Sequence, residues 1–473
     1  MVSSSRAKTG PIWPFLAILG LTLALASTST SFHEGRPERP SPSVSAILAD
    51  DGSESLDYWP QWRGPLGTGV APRANPPSEW SEDKNIRWKL ALPGRGHSTP
   101  VVWGDRIFLT AAIPSGGQVP PPASRRPGAH DGLRVVRRQS FAVLAVNRRD
   151  GKIVWQRTVR KLIPNEGIHY TGSFASNSPV VDGERVFAFF GSYGLYCLDW
   201  NGELLWETDL GDMYTKHGHG EGSSLLVHDD TLLVNWDHEG PSFVVAFDKR
   251  TGKERWKVAR DEPTSWATPV VVEHDGKQQV IVSGTNRVRG YDLSTGEVVW
   301  ECAGLSANVV ASPVAADGMV YAGSSYDTRN LLAIRLAGST GDITGTSRVA
   351  WARHRGTPYV PSLLLYGDAL YVVSHYQGIL TRLHAKTGEE RPGAFRLGSL
   401  GNIYASPVGA GGRVYITDLD GATLVMTHDD NPRALALNFL EDRFSASAAI
   451  AGGELFLRGE RHLYSIAEER EMK

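Results

Sequence analysis

The stretch Ala267-Thr268-Pro269-Val270-Val271 is one copy of a phrase that recurs along the 473-residue chain. In each clear copy, small polar residues and a Pro lead into apolar residues, and a turn and a strand-length segment follow. Further copies lie at 98–102, 177–181, 311–314, 360–363 and 405–408, with weaker copies at 222–225 and 446–448. From position 100 to its counterparts at 179, 225, 269, 313, 361, 407 and 448, the steps are 79, 46, 44, 44, 48, 46 and 41. A period of about 40–50 residues made of short strands predicts a β-propeller.

A second signature follows the phrase in four units, where a turn of the type Asp-x-x-Thr-Gly or a variant precedes a Trp. The Trp comes four residues after the Gly in the segments 147–155, 199–206, 248–256 and 292–300. The Gly provides the positive φ of a tight hairpin. We expect the Trp to lie on the outermost strand of its blade and to pack against the next blade. The sixth unit has Pro392 instead of Trp, and the seventh has Asp429-Asp430-Asn431-Pro432 instead of the turn.

The last unit has only three predicted strands, at 444–450, 454–458 and 462–466. Residues 86–92, which precede the first phrase and contain Trp88, can supply the fourth strand. Pairing the two ends of the ring in this way removes its exposed strand edges. The sequence therefore predicts an all-β, eight-bladed propeller that residues 86–92 close, with seven blades as the alternative.

The beginning of the chain predicts export. Arg6 and Lys8 precede an apolar run from Ile12 to Ala26 that ends in Ala24-Leu25-Ala26, a cleavage-site pattern. We expect a signal peptide over 1–26, a disordered linker over 27–57, an N-terminal extension over 58–85 and the propeller over 86–467. The location predicted for the mature protein is the periplasm or the cell exterior, without integration into a membrane. Retention of the signal segment as an anchor is the alternative.

Composition restricts the partners and the redox chemistry. The net charge of −2 gives no general attraction to nucleic acid, and we expect a monomer. The two cysteines, Cys197 and Cys302, fall two blades apart, so we expect two unpaired, buried thiols. Insertions at 114–138 and 161–176 are expected to be loops that decorate one face of the ring.

The repeat of Asp-x-x-Thr-Gly-x-x-x-Trp with Ser-Pro-Val resembles that of pyrroloquinoline-quinone (PQQ) propellers. The opening Trp59-Pro-Gln-Trp-Arg-Gly-Pro-Leu-Gly-Thr-Gly69 resembles the N-terminal element of exported PQQ-like propellers. The resemblance covers about residues 58–467. The superfamily includes quinoprotein dehydrogenases and the non-enzymatic propeller of the outer-membrane assembly machinery. In the dehydrogenases, the resemblance implies an adjacent cysteine pair over the quinone, a Trp beneath it, a calcium ion and an Asp base.

The residues just before each inner strand are expected to line the mouth of the central channel. This ring contains His97, Asn177, Glu221, Trp266, Asn308, Tyr359 and Tyr404. Aromatic walls with a few polar groups are typical of small-molecule pockets. If a planar cofactor binds there, Trp266 is the natural stacking platform, with Glu221 and Asn308 as metal or polar contacts.

A metal site is the second candidate. His217 and His219 lie near Asp237 and His238 in the same blade, and such residues can bind zinc, although their spacing matches no established zinc pattern. Adjacent cysteines and a run of calcium ligands are absent from the sequence, and no catalytic residue can be assigned by motif.

The sequence therefore favours a binding or scaffolding module for an envelope protein, peptide or glycan. A PQQ- and calcium-dependent oxidoreductase of the alcohol or sugar dehydrogenase type is the alternative.

Overall fold

The computed structural model describes residues 54–120, 130–374, 377–393 and 395–468. The predicted signal peptide and most of the predicted linker lie outside them. Three short 3-10 helices, Glu54–Asp57, Gly191–Tyr193 and Lys216–Gly218, are the helices of the described residues, and none is long and apolar enough to span a membrane.

Eight sheets follow one another in the order of the eight repeats, and each begins with the inner strand that follows its phrase. The first blade has the strands Val101–Trp103, Arg106–Gln118, Arg137–Asn147 and Ile153–Leu162. The second has Val180–Val181, Arg185–Phe189, Leu195–Asp199 and Leu204–Thr208. The third has Leu226–His228, Thr231–Trp236, Ser242–Asp248 and Glu254–Arg260. The fourth has Val270–His274, Lys277–Ser283, Val288–Asp292, Val298–Cys302 and the added parallel strand Gly341–Asp342.

The remaining blades repeat this antiparallel order. The fifth has Val314–Ala316, Met319–Ser324, Asn330–Arg335 and Val349–Arg353. The sixth has Leu364–Tyr366, Ala369–Ser374, Ile379–His384 and Phe395–Arg396. The seventh has Val408–Ala410, Arg413–Thr417, Ala422–Thr427 and Ala434–Phe439, with Val70–Ala71 parallel to its inner strand. The eighth has Ala449–Ala451, Glu454–Arg458, His462–Ala467 and Ile86–Ala91.

The N-terminal strand closes the eighth blade as predicted. Ile86–Ala91 pairs antiparallel with His462–Ala467 in a register that places Leu90 opposite Leu463. The prediction of an eight-bladed propeller closed by residues 86–92 is thus confirmed, and the seven-bladed alternative is wrong. Cys197 and Cys302 are buried and unpaired, also as predicted.

A ring of hydrogen bonds joins the inner ends of the blades. The backbone N–H of one hydroxyl residue in each phrase donates to the hydroxyl of its counterpart in the next blade, at 2.9–3.0 Å. These bonds run Thr99→Ser178→Ser224→Thr268→Ser312→Ser362→Ser406→Ser447. This ring explains why the two weaker copies of the phrase keep a serine.

The junction of blades eight and one is bonded differently. The Thr99 hydroxyl is buried without a hydrogen-bond partner in the described residues. Arg458, which is 1% exposed, instead donates from the eighth blade to Ser98 and to the Thr110 carbonyl. A buried guanidinium therefore replaces the hydroxyl link where the chain ends meet.

The turn glycines and the outer-strand tryptophans form one contact between blades. Trp206 donates its indole N–H to Lys249 O of the third blade at 3.1 Å. Its ring packs against Gly252 of that blade so closely that a Cβ added to the glycine would lie 2.7 Å from the ring. The same pairing occurs between Trp88 and Gly151, Trp155 and Gly202, Trp256 and Gly296, and Trp351 and Gly388. Trp300 differs, because its indole bonds Gln279 within its own blade at 2.8 Å. The Trp–Gly contact is thus observed for three of the four signature tryptophans, and Trp300 packs against blade five in a shared core with Val320 and Ile334.

The two insertions are more regular than predicted. The segment 114–138 was expected to be a loop, but the ladder of blade one continues through Pro114 to Gln118 on one side and from Arg137 on the other. That prediction is wrong at both ends, because the two arms extend the hairpin. Gly132–Leu133 then pairs with Ile168–His169 of the second insertion, which brings the two insertions together.

Residues 58–71, here called the plug segment, lie across the channel. Trp59 exchanges backbone hydrogen bonds with Val102 of blade one, at 3.1 and 2.8 Å. Arg63, which is 2% exposed, donates to Leu363 O of blade six at 2.7 Å and to Pro407 O of blade seven at 2.9 Å. Because Trp62 of the plug segment also donates to Ser312 of blade five, which lies opposite blade one, the segment crosses the channel at that level and obstructs it.

Candidate functional site

A cavity of about 380 Å³ lies at the mouth of the channel. Six of the seven predicted ring residues line it, namely His97, Glu221, Trp266, Asn308, Tyr359 and Tyr404. The seventh, Asn177, is 2% exposed and donates its amide to Ser223 O at 2.6 Å, so it lies behind the wall.

The hydroxyls of the inter-blade ring also line this cavity. Six of them do so, namely Ser224, Thr268, Ser312, Ser362, Ser406 and Ser447. Each accepts a backbone N–H, and in the described residues none donates a hydrogen bond of its own. Trp62 of the plug segment donates its indole N–H to Ser312 Oγ at 3.1 Å and also lines the cavity. The base of the cavity is therefore a circle of O–H donors beside an indole.

Trp266 and Asn308 are held firmly in the wall. The Trp266 indole donates to Gly220 O at 2.7 Å, and its backbone N–H donates to Val309 O at 2.8 Å. Asn308 has a φ of 54° and is 2% exposed, yet its Oδ1 has no hydrogen-bond partner among the described residues. A buried acceptor without a partner costs free energy.

Glu221 enters the cavity wall from the third blade. Its carboxyl group accepts the backbone N–H of Ser192 at 2.7 Å and also bonds the Ser192 hydroxyl. Gly191 is required here, since a Cβ at that position would stand 1.1 Å from Glu221 Oε2. Burial raises the pKa of Glu221 to about 8 against the opposing Ser192 bonds, and nearby Glu166 raises it further. The carboxyl group is therefore largely protonated at neutral pH.

Four histidines gather at the rim, and sequence reasoning identified only two of them as site residues. His130 and His169 from the insertions lie beside His217 and His219, with ring centroids of neighbouring pairs 4.5–5.2 Å apart. Burial lowers the pKa of His219 to about 4, and His169 lowers it further. The available signal was that both long insertions carry a histidine next to Asp131 or Tyr170.

The four predicted metal residues do not form one group, although the rings of His217 and His219 are neighbours. Asp237 forms a buried ion pair with Arg260 at 2.7 Å and accepts the Ser265 hydroxyl at 2.6 Å. His238 Nδ1 accepts the backbone N–H of Tyr214 at 3.2 Å. No group of three or more His, Cys, Asp and Glu residues that could hold a metal ion occurs in the described ranges. The metal site at His217, His219, Asp237 and His238 stays a prediction without geometric support.

A family model described as outer membrane protein assembly factor BamB matches residues 116–241 and 240–457, well over half of the chain. The chain belongs to the BamB family. Its fold is shared by BamB from Moraxella catarrhalis, at 15% identity and a TM-score of 0.53 over 82% of this chain and 98% of that one.

Oxidoreductases share the fold of this BamB-family chain too. A europium-containing methanol dehydrogenase is 12% identical, with a TM-score of 0.54 over 85% of this chain and 89% of that one. The quinohemoprotein alcohol dehydrogenase ADHIIG from Pseudomonas putida HK5 is 11% identical, with a TM-score of 0.54 over 89% and 81%. At these identities the likeness extends to the fold alone. No curated protein matches the sequence.

The cavity of the BamB-family chain does not fit PQQ with calcium. PQQ is a polycarboxylate, and anionic groups of this kind are held by Arg and Lys. Among the described residues, neither Arg nor Lys lines the cavity. Cys197 and Cys302 are buried in the separate cores of blades two and four, so they cannot form the adjacent pair. No reaction step through PQQ follows from these residues.

Proposed function

We propose that the protein is an exported binding module of the cell envelope, and that the channel-mouth cavity is its ligand site. The single observation that carries this proposal is the cavity itself. It is closed at its base by the plug segment and walled by Trp266, Asn308, Tyr359 and Tyr404. A preformed concave site with aromatic walls and few polar groups is the usual form of a small-molecule site.

The envelope location is supported by the export pattern and by the family. Arg6, Lys8 and the apolar run to Ala26 resemble a signal peptide, and the matching family is named for outer-membrane assembly. Fractionation of cells that express the full chain should recover it outside the cytoplasm without its leader. Recovery in the cytoplasm would contradict the proposed location.

Ligand binding can be tested on protein purified from the envelope. Its thermal midpoint is measured with and without fractions of small molecules and oligomers extracted from the same envelope. A ligand that binds the folded state raises the midpoint by mass action. We expect at least one fraction to stabilise the parent protein but not Trp266→Ala.

Phe439→Ala is the matched control. Phe439 is 56% exposed on the outermost strand of blade seven, so its removal also deletes an aromatic ring but leaves the cavity intact. The control should respond to the active fraction like the parent. If no fraction stabilises the parent, or if the Trp266→Ala variant responds equally, the cavity is not the ligand site.

A further inference from the structure

The polar groups of the cavity are almost all uncharged donors and acceptors. Its base carries six hydroxyls that already accept one hydrogen bond each, or two in the case of Ser312, and keep their O–H groups for a ligand. Five of these oxygens, all except Ser312 Oγ, also keep one lone pair as an acceptor. Donors and acceptors lie around one small volume, so a matching ligand presents several groups that both donate and accept hydrogen bonds.

Most titratable groups that line the cavity are uncharged at neutral pH. Glu221 has a pKa raised to about 8 by burial, and burial lowers the pKa of His97 to about 3 and of His219 to about 4. These groups are therefore uncharged at pH 7. Asp131 is the remaining acid of the lining, and it is bound to His130 Nδ1 at 3.0 Å. A strongly anionic ligand finds no complementary charge in this lining, and Asp131 is the one group whose pKa favours a negative charge there.

Flat aromatic surfaces complete the lining. Trp62 lies at the base, and Trp266, Tyr359, Tyr404 and Tyr170 stand around the wall. Aromatic rings provide large apolar faces with little conformational entropy to lose. A ligand that fits has an apolar face and several hydroxyl groups, which is the chemistry of a pyranose ring.

We propose that the cavity binds a neutral carbohydrate, accommodating one or two sugar units at the end of a glycan. This assignment rests on the proposed binding function and names its ligand class. The size agrees, because about 380 Å³ lies within the range of about 300–1,000 Å³ found for small-molecule sites. The plug segment blocks passage beyond the cavity, so the site takes the end of a chain and not its middle.

The test uses defined sugars. Purified full-length mature protein is titrated with glucose, maltose, cellobiose, lactose and N,N′-diacetylchitobiose, and with glucuronic acid as the anionic counterpart of glucose. Saturation-transfer NMR reports the sugar protons that face aromatic rings, and calorimetry reports affinity. We expect at least one neutral disaccharide to bind and glucuronic acid to bind at least tenfold more weakly than glucose.

Two variants locate the bound sugar. Trp266→Ala removes the stacking face, and Asn308→Gly removes a side chain of the cavity wall while tolerating the positive φ at that position. Each should weaken binding by about tenfold, the effect of roughly 1.4 kcal/mol. Phe439→Ala should bind like the parent, and thermal midpoints without ligand confirm that each variant is folded.

The outcomes separate this inference from the proposed function. If none of the neutral sugars binds, or if glucuronic acid binds best, the carbohydrate assignment is wrong. The binding function survives that result if an envelope fraction still stabilises the parent but not Trp266→Ala. A stabilising fraction that keeps its effect after periodate destroys its vicinal diols also overturns the carbohydrate assignment and leaves the binding function standing.

Discussion

At the scale of single residues, the rim histidines couple the stability of the protein to pH. His219 lies against His130, His169 and His217, with Asp131 nearby, and burial lowers its pKa to about 4 from the usual 6.5. Between these pH values the unfolded chain binds more protons than the folded one. Stability is therefore expected to fall as the pH decreases from 6.5 towards 4.

Thermal unfolding between pH 7.5 and 4.5 tests this coupling. His219→Gln should lose less stability than the parent on acidification, by about 2 °C in midpoint, since 1 kcal/mol shifts the midpoint by only about 1–2 °C in a protein this large. The control His354→Gln changes an exposed histidine just after the outermost strand of blade five and should follow the parent. An identical pH profile for parent and His219→Gln would show that the histidine is not responsible.

The sequence located most of the cavity wall but only half of its rim. The ring residues could be predicted because each holds a fixed position before an inner strand, and the repeat gives that position directly. Asn177 holds the same position, but its amide bonds Ser223 O, and this contact cannot be read from the repeat. His130 and His169 were missed as site residues because the pairing of the two insertions is a tertiary contact outside the repeat.

At the scale of elements, the contribution of the Trp–Gly contact to stability can be measured separately from the contribution of the turn geometry. Gly252 has a φ of 69° and would place a Cβ 2.7 Å from the Trp206 ring, whereas Gly276 has a φ of 71° and nothing within 4 Å of such a Cβ. Gly276→Ala should cost about 1 kcal/mol for the left-handed backbone. Gly252→Ala should cost a further ~1–3 kcal/mol because the interface is overpacked.

Urea unfolding of the two alanine variants measures the difference. If both variants lose the same free energy of unfolding, the Trp206 indole leaves room for a methyl group at Gly252. The Trp–Gly contact then contributes nothing measurable to stability. The sequence identified the Gly and the Trp of each signature, but Trp351 escaped because it follows the nearest Thr-Gly, at Gly345, by six residues instead of four. The contact with Gly388 shows that Trp351 has the same role.

At the scale of the whole molecule, two separate N-terminal segments hold the propeller ring together, namely the strand that closes blade eight and the plug segment. The strand Ile86–Ala91 could be predicted because the eighth unit lacks a strand that only a distant segment could supply. The plug segment could not be predicted, because its bonds join residues 300 and 344 positions apart without any shared pattern. Its Trp-Arg-Gly motif was visible in the sequence, but only the fold shows that the motif spans the inner strands.

The contribution of the plug segment to the free energy of unfolding can be measured by replacing Arg63. Arg63→Met keeps the length of the side chain but leaves the carbonyls of Leu363 and Pro407 without their buried donor, so we expect a loss of about 3 kcal/mol in unfolding free energy. Arg73→Met is the control within the same extension, because Arg73 pairs with Asp57 at 3.5 Å on the surface and should change stability by about 0–1 kcal/mol. Arg63→Lys should fall between them, since an ammonium group cannot reproduce the two divergent bonds of the guanidinium. Equal stability of the two methionine variants would contradict this expectation. It would mean that the plug segment contacts blades six and seven without stabilising them, and that the hydrogen bonds of the hydroxyl ring alone hold the base of the cavity together.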